Sequence, residues 1–292
     1  IHDGDGIRTT VFFKGCPLRC AWCHNPESLS YGTELSWNSE RCTRCGKCIS
    51  EFPDVFTMEK DKIRHRKDCD EDIYLKAERV CPNQAFKFYG YKTDIEHLMK
   101  DLKKDSMFYQ ESGGGITFSG GEVMGVNPFE YVTDLAKKIR GEGYTLYIDT
   151  SGYAPYERFQ HIMPYTNVFL YDLKFADSDK HKKYIGQDNG LIIENLKKLS
   201  SDGARIHLRL PLIDGLNTSC DDIAEVINIL EHGNIKPEKI HLLPYHNTGK
   251  SKYPRLGLIY EDDEFKVPDE ETLNEIKEIF IESGYKNIMI GG

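Results

Sequence analysis

The sequence predicts an α/β protein, a partial (β/α)6 barrel carrying a small cysteine-rich insert near its start, with an open doubly wound sheet as the alternative. Three observations point there. Short runs rich in β-branched and aromatic residues alternate with helix-period segments over most of the 292 residues. Such alternation builds a parallel sheet, because each helix covers the sheet between consecutive strands. Eight of the nine cysteines fall within the first 81 residues, and between about 38 and 90 the alternation stops.

Strands are expected at 7–13, 115–120, 144–149, 167–172, 204–212 and 239–245, with a last short one at 286–290. Each is bounded by Gly, Asp or Pro. A first long helix is expected at about 93–105. In 128–140, Phe129, Val132, Leu135, Ala136 and Ile139 share one face, with Pro128 at the first helical position and Gly141 after the end. Ile223, Val226, Ile227 and Leu230 repeat the pattern in 219–231, as do Leu273, Ile276, Ile279 and Phe280 in 269–283. Residues 38–90 show many charges and little helical period, so the expected organisation is a barrel from 1–37 and 91–292 with an insert at 38–90. The lysine-rich stretch 171–183 reads as a solvated face with one functional residue in it.

Composition narrows the function. Thirty-eight Lys and Arg against 47 Asp and Glu give a net charge of −9, which argues against nucleic acid, since phosphate binding wants a basic field. The 39% apolar content and mean hydropathy of −0.54 describe a soluble globular chain. No run approaches eighteen apolar residues, so no membrane span is expected, nor a signal peptide. The chain opens at Ile1 without Met, leaving room for native residues before it. An odd number of cysteines, clustered at one end, fits ligation in a reducing cytoplasm better than a disulfide framework.

Cys42, Cys45 and Cys48 stand as C-x2-C-x2-C, similar to a ferredoxin run in which three cysteines hold a 4Fe-4S cluster and a fourth, before proline, serves the neighbouring cluster. Here Phe52 occupies the fourth position, and Cys81 supplies a cysteine–proline pair downstream. One auxiliary 4Fe-4S cluster on Cys42, Cys45, Cys48 and Cys81 is expected, with Cys69 as the alternative fourth ligand. A four-thiolate zinc site from the same residues is the competing reading. Cys16, Cys20 and Cys23 form C-x3-C-x2-C with no nearby fourth. Three thiolates on a cube of four irons leave one iron open to a ligand, unless a residue such as His24 closes it.

In parallel α/β folds function collects at the C-terminal strand ends. The first strand runs into the Cys16–Cys23 loop. The next ends in Ser119, Gly120, Gly121 and Glu122, where two glycines let backbone carbonyls approach an ammonium and the carboxylate offers a charged acceptor. Then come Asp149, Thr150, Ser151 and Gly152; Asp172, Leu173 and Lys174; Arg209; and Tyr245, His246 and Asn247. Lys174 and Arg209 could hold a carboxylate, and Asp149, Thr150 and Asp172 could seat a small cation or simply cap the helices that follow. His246 packs against a ligand or sits in a loop. His2, His65, His97, His161, His181 and His232 read as ordinary surface residues. Cys220, after Thr218 and Ser219, reads as structural.

The C-x3-C-x2-C spacing with Trp22 before its last cysteine resembles the signature of the radical S-adenosylmethionine (SAM) superfamily. With DGDGIRTTVFFKGC at 3–16, WCHNPES, FSGGE at 118–122, DTSG at 149–152, YDLK at 171–174 and LPYH at 243–246, the chain resembles a glycyl-radical enzyme activating enzyme of the pyruvate formate-lyase activating type. The insert resembles that of the subgroup serving dehydratases, lyases and decarboxylases, hydroxyproline dehydratase being the best guess. It departs from the common two-cluster pattern at Phe52. The resemblance implies a TIM-like radical SAM barrel in which a cluster on Cys16, Cys20 and Cys23 chelates SAM. Gly120, Gly121, Glu122, Lys174, Arg209 and His246 would bind SAM, and Asp149, Thr150, Asp172 and the Leu170 carbonyl a monovalent cation (Na+ or K+). It further implies a 5′-deoxyadenosyl radical that removes hydrogen from a glycine of a partner glycyl radical enzyme, whose loop enters near Asp172–Phe175 and Asp177. Flavodoxin or ferredoxin would supply the electron, and the auxiliary cluster would relay it or serve docking. A radical SAM enzyme acting on a small molecule and a plain ferredoxin-type carrier are the alternatives.

Overall fold

The computed structural model describes residues 3–66, 69–260 and 265–291; His2 lies outside them. In chain order the elements are β1 (Arg8–Phe13), β2 (Glu34–Trp37), α1 (Lys47–Glu51), β3 (Phe56–Glu59), β4 (Lys62–His65), α2 (Glu71–Val80) and β5 (Phe86–Tyr89). There follow α3 (Ile95–Leu102), α4 (Ser106–Ser112), β6 (Gly115–Gly120), α5 (Phe129–Gly141), β7 (Thr145–Thr150), α6 (Tyr156–Ile162), β8 (Val168–Asp172), α7 (Ser178–Ile185) and α8 (Gly190–Ser201). Last come β9 (Ile206–Leu212), α9 (Cys220–His232), β10 (Lys239–Pro244), α10 (Lys252–Arg255), α11 (Glu270–Glu282) and β11 (Ile288–Ile290).

Seven strands form one parallel sheet in the order β1-β6-β7-β8-β9-β10-β11. The order follows the chain without reversal. Right-handed crossovers then place the helices on one face and the sheet curls, whereas a doubly wound sheet reverses its order at a switch point. This decides for the partial barrel over the doubly wound alternative. Among the described residues β1 and β11 do not pair, so the barrel stays open along one side.

Alternation along each strand sorts the side chains. Ile116, Phe118, Leu146, Ile148, Phe169, Tyr171, Leu208 and Leu210 share the main core with Val132, Leu135, Leu196, Ile223 and Leu230 of the helices. The intervening positions carry polar groups that meet across strands. Arg8 Nε donates to Thr117 Oγ1 (2.8 Å), its guanidinium lies 3.8 Å from the Tyr147 ring centre, and Tyr147 meets His207 edge-on. The barrel interior thus mixes these polar groups with a small apolar cluster of Tyr147, Val168 and Leu170, and its upper end is the site.

Several local expectations are corrected. Pro128 is the N-cap of α5 with an extended ψ of 140°, so the helix begins at Phe129. Gly141 ends α5 from inside, and Gly143, with φ of +85°, makes the turn after it. His181 is fully buried, its Nδ1 facing the Gln187 carbonyl at 2.6 Å, and His65 packs on Phe56 and Tyr74. His97, His161 and His232 are exposed as expected. The stretch 171–183 is not a solvated face throughout: Leu173 and Phe175 are buried, and α7 buries His181. Ser219, with Asp222, forms a capping box on α9. Cys220 beside it is exposed, so the cap and not the thiol is the structural element.

Residues 34–89 leave the parallel sheet. β2 pairs antiparallel with β5 at the neck, so the excursion begins earlier in the chain than cysteine spacing alone suggests. β3 and β4 form a hairpin. The ten-residue α2 occupies a stretch in which little helical period is legible, burying Tyr74 and Ala77. Leu35, Val55, Phe56, Ile63, Tyr74, Ala77 and Phe86 make a separate core with Cys48 and Cys69.

Candidate functional site at the barrel rim

The loop after β1 is fixed from both sides. Gly15 N donates to Ser28 O (2.8 Å), Arg19 N to Ile185 O (2.8 Å) and Ala21 N to Tyr184 O (2.9 Å). Leu18 and Trp22 pack in a cluster with Phe175, Ile185, Ile213 and Tyr245 and form part of the cavity wall, and Trp22 meets Phe175 edge-on at 5.7 Å. With those side chains buried, Cys16, Cys20 and Cys23 all line one cavity of about 280 Å³. Burial pushes their thiols up, Cys16 and Cys20 to about 12 and Cys23 to about 11, so ligation must displace protons. His24 is the residue placed to close the cage, but its Nε2 donates to the His246 carbonyl (2.8 Å). Its ring also stacks on His246 at 3.8 Å and 15°. Three thiols facing a roomy cavity fit a cluster with one open iron.

The same cavity is lined by a buried charge network. Asp172 and Arg209 are register partners on β8 and β9. Arg209 donates from Nε to Asp172 Oδ1 (2.6 Å) and from Nη2 to Asp149 Oδ1 (2.5 Å). Ser119 Oγ donates to Asp149 Oδ2 (2.7 Å) and Lys174 Nζ to Asp172 Oδ2 (2.7 Å). Burial raises both carboxyls. For Asp172 the flanking Arg209 and Lys174 outweigh burial and hold it low, whereas for Asp149 burial and the neighbouring Asp172 prevail over Arg209 and it rises. Neither aspartate caps a helix. Leu170 pairs with Asp149 in register, its side chain buried with Tyr147 and Val168.

The side-chain oxygens expected to seat a monovalent cation thus already have protein donors, Arg209 on both carboxylates and Gly152 N on Thr150 Oγ1 (3.0 Å). In this arrangement Arg209 neutralises the two carboxylates, and the residues do not fit a cation unless Arg209 moves. Of the residues near which a partner loop is expected, Asp177 caps α7 by accepting from Lys180 N (2.6 Å), and Phe175 is buried.

Glu122 is the clearest correction. It is fully buried, and Gly120 and Gly121 line the cavity while Glu122 does not. Its carboxylate accepts from Met124 N (3.0 Å), Thr150 Oγ1 (2.6 Å), Ser151 N (2.8 Å) and Ser151 Oγ (2.5 Å). Burial raises this carboxyl, and the four donors oppose the rise. The carboxylate ties the loop after β6 to that after β7 and holds the two glycines at the cavity wall. A Cβ at Gly121 would overlap the carbonyl oxygens of Gly15 and Ser28, on the cysteine loop itself. Gly121→Ala is accordingly expected to weaken SAM binding by about ten- to hundredfold, measured by equilibrium dialysis, because overpacked backbone must shift by ~1–3 kcal/mol.

Asp3, Phe12 and Tyr245, which lie in the motifs at 3–16 and 243–246 without an assigned role, line the cavity. Tyr253, whose OH donates to Cys23 O (3.1 Å), carries no legible sequence signal, and only the fold brings it there.

In the insert, Cys42, Cys45, Cys48 and Cys81 line one small pocket, and Cys69 does not. Ala85 N donates to Cys81 Sγ (3.3 Å), leaving that sulfur an acceptor, as a ligand thiolate is. The Cys69 thiol instead donates to Arg66 O (3.4 Å). Phe52 caps the end of α1 and packs on Phe56, ring centres 6.2 Å apart. Core packing thus occupies the place of a further ligand. The four-thiol set fits one auxiliary cluster completed by Cys81.

A partial parallel barrel whose rim cavity is lined by three thiols from the first strand end, two glycines and a charge network defines a radical SAM protein. The Radical SAM superfamily model matches residues 10–227. The chain belongs to that superfamily and, within it, to the glycyl-radical enzyme activating enzymes. It is 41% identical to the trans-4-hydroxy-L-proline dehydratase activating enzyme of Clostridioides difficile, covering 100% of this chain and 96% of that one. It is 36% identical to the (2S)-3-sulfopropanediol dehydratase activating enzyme of Klebsiella oxytoca, covering 91% and 86%. A solved domain of a pyruvate-formate lyase-activating enzyme from Bacteroides vulgatus has a TM-score of 0.53 at 29% identity, covering 62% of this chain and all of that one. No helix among the described residues is long and apolar enough to cross a membrane.

Proposed function

We propose that this chain activates a glycyl radical enzyme, with hydroxyproline dehydratase as the partner. The observation that carries the reading is the open cage: three cysteines face a cavity that is also lined by Gly120, Gly121 and the two buried cations Lys174 and Arg209. The 41% identity to a hydroxyproline dehydratase activating enzyme over the whole chain supports the partner. When bound, a reduced 4Fe-4S cluster on Cys16, Cys20 and Cys23 with SAM at its open iron supplies the electron that frees a 5′-deoxyadenosyl radical.

The chain's own residues then position and protect. Gly120 and Gly121 offer carbonyls to the SAM ammonium, held in place by Glu122. Lys174 and Arg209 take the SAM carboxylate, and His246, braced by His24, packs on the nucleoside side. A monovalent cation at Asp149, Thr150, Asp172 and the Leu170 carbonyl enters only as Arg209 turns from its carboxylates to that of SAM. Trp22, Phe175 and Tyr245 keep the rim apolar, which excludes water beside a species that must react where it forms. The insert, expected at 38–90 between barrel parts 1–37 and 91–292 and closed at its neck by β2 and β5 so that it begins at Glu34, carries the auxiliary 4Fe-4S cluster. A flavodoxin or ferredoxin in the cytoplasm is the donor.

The test is anaerobic incubation of the fully loaded, reduced protein with SAM and purified hydroxyproline dehydratase. A glycine-centred EPR doublet on the dehydratase is expected. SAM cleavage without that doublet, and with one on a different glycyl radical enzyme, would overturn the partner.

A further inference from the structure

Residue 14 lies two positions before the first cysteine of the cage, and its side chain leads away from the cavity toward the insert. The Lys14 stem runs along Gly90, where a Cβ would meet it at 3.0 Å, at the point where the chain leaves the insert. Its ammonium donates to Glu34 Oε2 (2.6 Å) on β2, where the chain enters the insert, and to Glu27 O (2.6 Å), just past the last cysteine. The pair is mostly buried, with Lys14 17% and Glu34 25% exposed. A single cation therefore joins both sides of the insert's neck to the backbone of the cysteine loop.

The other side of Glu27 is held separately. Lys252 Nζ donates to Glu27 Oε1 (2.6 Å), His24 O (2.8 Å) and Asn25 Oδ1 (3.3 Å). Glu27 thus stands between two lysines, one from α10 on the barrel and one whose remaining partner lies in the insert. Removing Lys14 leaves a mostly buried carboxylate and a carbonyl without their charged donor, a larger loss than that of a neutral hydrogen bond. A shift of the Cys23–Ser28 segment moves the cage against the Gly121 wall.

We propose that Lys14 is a positioning residue that makes the insert part of the scaffold of the SAM-binding loop, apart from any electron relay. The inference rests on the radical SAM reading of that loop. Its test uses full-length protein loaded with both clusters, in wild type, Lys14→Met, Lys14→Arg and Glu34→Gln. The readouts are SAM affinity by equilibrium dialysis and the EPR change of the reduced Cys16–Cys20–Cys23 cluster on adding SAM.

Lys14→Met is expected to weaken SAM binding about tenfold and to alter that EPR change while the auxiliary signal stays, whereas Lys14→Arg recovers to within about threefold. Glu34→Gln, which keeps Lys14 on the Glu27 carbonyl, is expected to weaken SAM binding about threefold. Loaded Lys14→Met with SAM affinity within about twofold of wild type and an unchanged spectrum would overturn the inference. If Lys14→Met takes up no iron, unchanged SAM binding in Glu34→Gln overturns it instead. Wild-type protein that neither binds SAM nor shows the EPR change would defeat the radical SAM reading and not this inference.

Discussion

Cys20→Ala is expected to abolish reductive SAM cleavage, with 5′-deoxyadenosine falling to the level of a protein-free control. Among the described residues Cys20 is one of three thiols facing the rim cavity, and His24, which lines the same cavity, is held by His246. Two thiolates do not hold a cube against loss of iron. The insert's four thiols lie in a different pocket with their own core, so the auxiliary cluster's EPR signal should persist. Iron analysis gives the same contrast, about eight atoms per chain in wild type and about four in the variant, since each cluster holds four. A value near about twelve in wild type would contradict the single auxiliary cluster. Retained 5′-deoxyadenosine formation would contradict the cage.

The second large effect is on stability. Arg209→Met should destabilise the fold by about 3–5 kcal/mol near pH 8, because it strands Asp149 as a buried carboxylate without its counter-charge and leaves Asp172 with Lys174 alone. The sign with pH follows from which form burial favours. In wild type, Asp172 is held low by Arg209 and Lys174, so its contribution is present at neutral pH and lost as pH falls through its depressed range. Asp149 already sits above the ordinary carboxylate range, and without Arg209 it rises further. The variant should therefore regain part of its loss on acidification toward pH 5.5, as Asp149 takes up a proton, and denaturant melts at pH 8 and 5.5 read the difference. An equal deficit at both pH values would show that lost packing, not stranded charge, is the cause.

The sheet was legible because its strands are short, apolar on the helix-facing side and bounded by Gly, Asp or Pro. Residues such as Ile116, Phe118, Ile148 and Phe169 announce a buried face. The cysteine groups were legible by spacing, and the cavity collects the first of them as its separation from the second suggests. Legibility failed where the partner is remote in sequence. Glu122 beside two glycines looks like a ligand, but Thr150 and Ser151, its donors, reach it only through the β6–β7 pairing. Asp149 and Asp172 offer oxygens in the sequence, and only the register across β8 and β9 puts Arg209 between them.

His181 was hidden by its neighbours. In DSDKHKKYI the lysines dominate, and only the four-residue spacing to Ile185 marks the buried side of α7. The neck of the insert was hidden by brevity, since β2 has four residues and pairs with a strand beyond the whole excursion. α6 and α8 carry weak starts, one after Pro155 and the other opening on Gly190 beside Asn189, a turn-like beginning.

A three-thiol cage is expected to leave one metal vertex for SAM. The most direct measurement is product analysis on anaerobic, fully loaded, dithionite-reduced protein given SAM alone. Methionine and 5′-deoxyadenosine in equal amounts are expected, lost in Cys20→Ala. No cleavage from a sample shown by iron analysis and EPR to carry both reduced clusters would contradict it.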